Sequence, residues 1–222
     1  NVIGNTSNEE GGGIFAKGSN NNDEKVTLYG CEVSGNTANR GGGFFSREIA
    51  VHIDASIFRE NITNYNDGGG LFVESAHPFE FSNSEASYNQ GSGFYINHGG
   101  GHKIKNIVAI HNSSFGFGAH YTSNNLGFNV SNCLVFDNND GGIYLVGASP
   151  VITNSLMAFN RGGTPGLQCQ SGSNPMVVNS TIAYNRMDSD YNENNGNNGS
   201  EISVMDNSHP LFENSIVWGS EN

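Results

Sequence analysis

A glycine-rich triplet followed by two bulky side chains returns along this chain at nearly constant spacing. It reads GGGIF at 11–15, GGGFF at 41–45, GGGLF at 68–72, GSGFY at 91–95, GFGAH at 116–120 and DGGIY at 140–144. Weaker echoes are TPGLQ at 164–168 and GSEIS at 199–203. Aligning the third positions (Gly13, Gly43, Gly70, Gly93, Gly118, Gly142, Gly166 and Glu201) gives steps of 23 to 35 residues, clustered near 24. That period is too short for paired-helix repeats and lacks leucine-rich spacing.

Other columns travel with it. A small residue recurs at Cys31, Ser56, Ser84, Cys133, Ser155, Ser180 and Ser215, with Ile107 as the exception. Apolar residues stand three before it (Leu28, Ile53, Phe81, Ile104, Val130, Ile152, Val177, Phe212) and two after it (Val33, Phe58, Ala86, Ala109, Val135, Met157, Ile182, Val217). Five after it comes an asparagine file: Asn36, Asn61, Asn89, Asn112, Asn138, Asn160 and Asn185, begun by Asn5. Short alternating strands broken by Gly and Asn, with no helical periodicity, predict stacked parallel strands. The fold class expected is all-β: a right-handed, single-stranded parallel β-helix of about eight coils of roughly 24 residues. The chain reads as one such domain over 1–222, a section of a longer chain, with an inserted polar loop at 186–200 in the longest step.

Stacking gives each column a role. Glycine supplies a tight reversal after the asparagine corner, and the next pair splits across the sheet, Phe44 inward and Phe45 outward. Asparagine amides in file can bond to those above and below and tolerate left-handed backbone. A second file (Asn83, Asn106, Asn132, Asn154, Asn179, Asn214) marks another corner. Glycosylation at the sequons Asn61, Asn112 and Asn179, which belong to these two files, would break the stack, leaving Asn129 and Asn198 as acceptors. The three cysteines, Cys31, Cys133 and Cys169, read as buried thiols.

The motifs GGGI, GGGL and GGIY, with FREN at 58–61 and FDNN at 136–139, resemble repeats of polymorphic outer-membrane proteins within the pectin lyase-like superfamily of right-handed β-helices. SPVITNSLMAFN at 149–160 and NSIVWGS at 214–220 are similar to repeats of large secreted bacterial β-helix proteins. The resemblance covers the whole chain and implies a secreted or cell-surface setting. It implies no one activity, since such folds serve lyases, hydrolases, epimerases and adhesins alike.

Net charge of −12, from 21 acidic against 9 basic residues, opposes nucleic acid and anionic membrane as partners. No apolar run approaches a membrane span.

Three sets of residues carry chemistry. The outward column Phe15, Phe45, Phe72, Tyr95, His120 and Tyr144 predicts a ring file. It reads either as a contact surface for sugar, protein or a flanking domain, or as a stack covered by the chain's own loops. Lys103, Lys105, His120 and Tyr121, within a basic island that includes His98, His102 and His111, are the catalytic candidates for a lyase acting on an acidic polysaccharide. The competing reading sets His52, Glu80 and Lys103 in one cross-strand charge file, and Asp54, Ser82 and Lys105 in the next. Asp188, Asp190 and Asn192 alternate as in calcium loops but depart from the EF-hand pattern, making calcium the only cofactor suggested. The reading that results is an extracellular β-helix scaffold or adhesin, non-catalytic, with a polysaccharide or protein surface partner and flanking domains; the alternative is a polysaccharide lyase.

Overall fold

The computed structural model describes all residues except 20–23, 66, 123–126, 165, 188–200 and 220–222. Three parallel sheets form the walls of a rod. The first has eight strands, from Ile14–Lys17 through Phe44–Arg47, Leu71–Glu74 and Phe94–Asn97 to Ile202–Val204. The second, also eight-stranded, runs from Lys25–Tyr29 to Leu211–Glu213, and the third, nine-stranded, from Val2–Ile3 to Ile216–Trp218. Each strand pairs with its counterpart one repeat away, so Leu28 lies on Ile53, Ile53 on Phe81 and Phe81 on Ile104. These columns fill one continuous core in which Phe44, Phe58, Phe81, Phe94 and Phe117 are buried. No helix occurs among the described residues.

The asparagine file is a hydrogen-bonded ladder. Asn112 is representative: its backbone N–H and Nδ2 both donate to Asn138 Oδ1, at 3.1 and 2.9 Å, while the other Nδ2 hydrogen reaches Ala86 O at 3.0 Å. The pattern repeats at Asn36, Asn61, Asn89, Asn138 and Asn160, satisfying each buried amide. The small-residue column works similarly: Ser56 Oγ accepts from Cys31 N and donates to Asp54 O.

The triplet glycines have separate reasons. The first turns in the left-handed region, as Gly41 does at φ 58°. The third is excluded from having a Cβ by the ladder itself, since a Cβ on Gly43 would lie 2.9 Å from the Asn61 amide nitrogen and one on Gly93 2.8 Å from that of Asn112. A further corner file is left-handed. Asn83, Asn106, Asn132, Asn154, Asn179 and Asn214 hold φ between 46° and 55°, as asparagine tolerates.

One alignment made from sequence is corrected. Strand Phe115–His120 pairs Phe94 with Phe117, Tyr95 with Gly118, Ile96 with Ala119 and Asn97 with His120, two residues from the expected register. The physical reason is steric. A Cβ at position 116 would lie 2.8 Å from the Asn138 amide, so Gly116 is the ladder glycine, and Phe117 rather than Ala119 fills the wide core position. His120 therefore leaves the ring file, and Tyr121 is an exposed corner residue at φ 47° rather than an inward one. Cys133 and Cys169 are buried thiols, pushed up to about 11 and about 12 by burial, whereas Cys31 is only partly covered. Arg186–Met187 form a short strand beside Arg161–Gly162, so the segment expected as a loop begins later; 188–200, with Asp188, Asp190, Asn192 and Asn198, lies outside the described residues. Asn129 is exposed at the start of Asn129–Ser131.

Candidate functional site

The ring file forms on the outer side of the first sheet, but as a covered stack. Phe15, Phe45, Phe72 and Tyr95 follow one another at 5.7, 5.4 and 5.5 Å between centroids, with planes within 6° of parallel. Phe15 is half exposed, yet Phe45, Phe72 and Tyr95 are only 0, 2 and 7 % exposed. Of the two readings of this file, a contact surface or a stack covered by the chain itself, its centre has the geometry of the covered stack. Arg47 lies over Phe45 at 5.1 Å and Arg40 over Phe72 at 5.6 Å, and Arg47 is itself anchored by Glu10 at 2.7 Å and Glu74 at 2.9 Å. Above Tyr95 the file has Gly118, whose missing side chain leaves room for the Tyr95 ring. Tyr144 then stacks on Phe115 at 4.7 Å.

The four catalytic candidates divide between two sheets. Lys103 donates to Glu80 Oε1 at 2.7 Å while Glu80 Oε2 meets His52 Nδ1 at 2.9 Å, which is the cross-strand charge file. These contacts, Lys103 first, hold the Glu80 carboxyl below its ordinary range. Lys105 stands outward on the same strand, in register with Ser82, which donates to Asp54 at 2.8 Å. His120 instead ends a strand of the first sheet, and Tyr121 follows it. Their rings lie 4.9 Å apart, with Tyr95 6.0 Å and Tyr144 6.4 Å from His120, and His98 6.3 Å from Tyr121. Burial, aided by the His98 charge, lowers the His120 pKa and favours neutral imidazole. Burial likewise pushes the Tyr95 phenol far up. No group of three His, Cys, Asp or Glu side chains among the described residues is placed to hold a metal.

A different surface presents rings to solvent. The residue just before each ladder asparagine is left-handed in every coil: Gly4, Gly35, Glu60, Tyr88, His111, Asp137, Phe159 and Tyr184, with φ from 50° to 69°. Tyr88, Phe159 and Tyr184 are 58, 49 and 49 % exposed. Tyr88 stacks on His111 at 4.8 Å and Phe159 on Tyr184 at 5.1 Å. Phe136, Phe159 and Tyr184, with Asp137, Arg161 and Arg186, line a cleft of about 420 Å³. Sequence reading passed over this file because its members share only a backbone angle; the signal available was their fixed place next to the asparagine.

Stacked coils of three parallel sheets, locked by an internal amide ladder, define a parallel β-solenoid. Residues 1–157 match the family described as right handed beta helix region, and the chain belongs to that family. No curated protein and no solved structure matches it.

Proposed function

We propose that this chain is a non-catalytic β-helix scaffold of the adhesin type, secreted or held at a cell surface, whose flank contacts an extracellular polysaccharide or a protein partner. The carrying observation is the corner file. Gly4 and Gly35 occupy it without strain, whereas Tyr88, Phe159 and Tyr184 accept left-handed geometry there while remaining about half exposed. Bulky residues held in sparsely populated backbone regions with little burial in return are characteristic of recognition surfaces rather than of cores. The ladder beneath keeps those rings rigidly spaced, which limits the ordering entropy lost on binding. The likeness of the repeats to secreted β-helix surface proteins supports the setting.

The lyase alternative draws on one observation, the 4.9 Å approach of neutral-leaning His120 to Tyr121. Against it, both candidate lysines stand on the second sheet, Lys103 paired with Glu80, while His120 and Tyr121 stand at the end of a strand of the first. Retention of the protein on immobilised extracellular polysaccharides, with no unsaturated uronate released, is the result expected. Release of unsaturated product, abolished by His120→Ala, would establish the enzyme instead.

A further inference from the structure

We infer that a groove along the corner between the second and third sheets binds an extended chain of neutral pyranose sugars, one ring per coil. It lies across the third sheet from the exposed rings, and goes beyond the reading above without depending on it.

The groove, of about 670 Å³, has two unlike walls. One is part of the second asparagine file: Asn106, Asn132, Asn154 and Asn179, all exposed at left-handed corners. The other is Val108, Leu134, Leu156 and Thr181, which stand in register on adjacent strands. Ile107, Cys133 and Ser155, all buried, make the floor. Four coils at the strand spacing give a trough roughly 14 Å long.

The amide wall belongs to a ladder on the outside of the rod. Asn132 Nδ2 donates to Asn106 Oδ1 at 3.1 Å, Asn106 Nδ2 to Asn83 Oδ1 at 2.7 Å, and Asn83 Nδ2 to Asp54 Oδ1 at 2.7 Å. A carboxamide has two N–H donors and two lone pairs, so one held in such a file keeps a donor and an acceptor for a ligand. In the inner ladder, by contrast, Asn112 spends both Nδ2 hydrogens, on Asn138 and on the Ala86 carbonyl. A sugar hydroxyl is donor and acceptor at once and suits the outer amides, while the C–H face of the ring suits the apolar wall.

Charge and spacing set other polymers aside. Among the described residues none that lines the groove is charged, and Lys105 and Glu85 flank only its first coil. An anionic polymer would therefore meet no cation within the trough. A peptide joining as a strand needs unpaired backbone groups. Here the N–H groups of Val108, Leu134, Leu156 and Thr181 already donate to carbonyls of the preceding coil. A peptide laid along the trough would repeat at about 3.3 Å against walls repeating at about 4.8 Å, and would lose step within a few residues. An extended pyranose chain advances by close to one strand spacing per ring, so every sugar meets one amide and the side chain opposite it.

The test is calorimetric titration of the full chain with neutral cello-, xylo-, manno- and N-acetylated chito-oligosaccharides of two to six rings, and with an oligogalacturonate as acidic counterpart. At least one neutral series should bind, its affinity rising about tenfold from two rings to four, levelling beyond, and holding constant as salt is raised. Two double variants locate the site. Asn132→Gly with Asn154→Gly removes two amides and suits the left-handed corner, and Leu134→Thr with Leu156→Thr replaces the apolar wall by the residue the file already carries at Thr181. Each should fold, by far-UV circular dichroism, and bind the neutral series at least about tenfold more weakly. Failure of every neutral series to bind, tighter binding of the oligogalacturonate, or wild-type affinity in both variants would overturn this inference. If Phe159→Gly with Tyr184→Gly abolished binding while both groove variants retained it, the exposed rings would be the site, and the reading above would stand without this one.

Discussion

Asn185 donates to the carboxylate of Glu201, from Nδ2 at 2.6 Å and from its backbone N–H at 3.2 Å. Every earlier rung makes those same two bonds to the Oδ1 of the next asparagine. Glu201 stands where the preceding coils have the ladder glycine, just before Ile202 in the file of Leu167. At that level its side chain occupies the space an asparagine amide fills elsewhere, and it terminates the ladder as an acceptor.

Glu201→Gly should therefore strand two buried donors and destabilise the fold by about 1–3 kcal/mol, with Glu201→Gln recovering most of the loss. Denaturant titration gives the difference, and hydrogen exchange should place it in the coil around Thr181–Ala183. Unchanged stability in Glu201→Gly would show that the cap is dispensable.

The glycine beside a rung should tolerate no methyl group. A Cβ at Gly93 would lie 2.7 Å from Gly116 O and 2.8 Å from the Asn112 amide, both fixed by the coil above. Gly93→Ala is expected to lower stability by about 1–3 kcal/mol. In contrast, Gly30→Ala, at an open corner with φ 61°, meets no neighbouring atom and carries only the backbone penalty. Comparing the two Tm values separates crowding from conformation.

His102 sets an acid limit. It is fully buried, accepts from Phe79 N–H at Nδ1 (3.2 Å) and donates from Nε2 to His98 O (3.1 Å), an arrangement only the neutral ring can make. Burial lowers its pKa to about 4 from the model-peptide 6.5. Because the folded value is the lower one, the unfolded chain binds more protons between the two, and stability present above pH 6.5 is lost as pH falls toward 4. The contribution is on the order of 3 kcal/mol. Tm against pH should fall less steeply across this window in His102→Gln than in wild type; parallel curves would remove the histidine as cause.

Lys103 should prove structural and weakly so. With its side chain 66 % exposed, its ion pair to Glu80 is screened by solvent, and Lys103→Ala should change stability by less than about 1 kcal/mol. Loss of glycan retention in that variant would reopen the second sheet as a functional face.

The stacking of coils, the inward columns and the two asparagine corners were legible in the chain because a parallel solenoid places equivalent residues directly above one another, turning sequence periodicity into contact. Leu28, Ile53 and Phe81 sit as their spacing demands, and so do His52, Glu80 and Lys103. Tertiary structure decided what periodicity does not encode. Two glycines in GFGAH satisfy the same motif, and the Val135 side chain and the Asn138 amide, which a Cβ at 116 would meet, set Gly116 rather than Gly118 beside the rung. Phe45 and Phe159 look alike in sequence, but Arg47 covers one while the left-handed turn before Asn160 leaves the other half in water. Periodicity assigns a residue to a column; whether it meets solvent depends on covering side chains such as Arg47, which do not repeat, its place being taken by Lys17 and Glu74 in the adjacent coils.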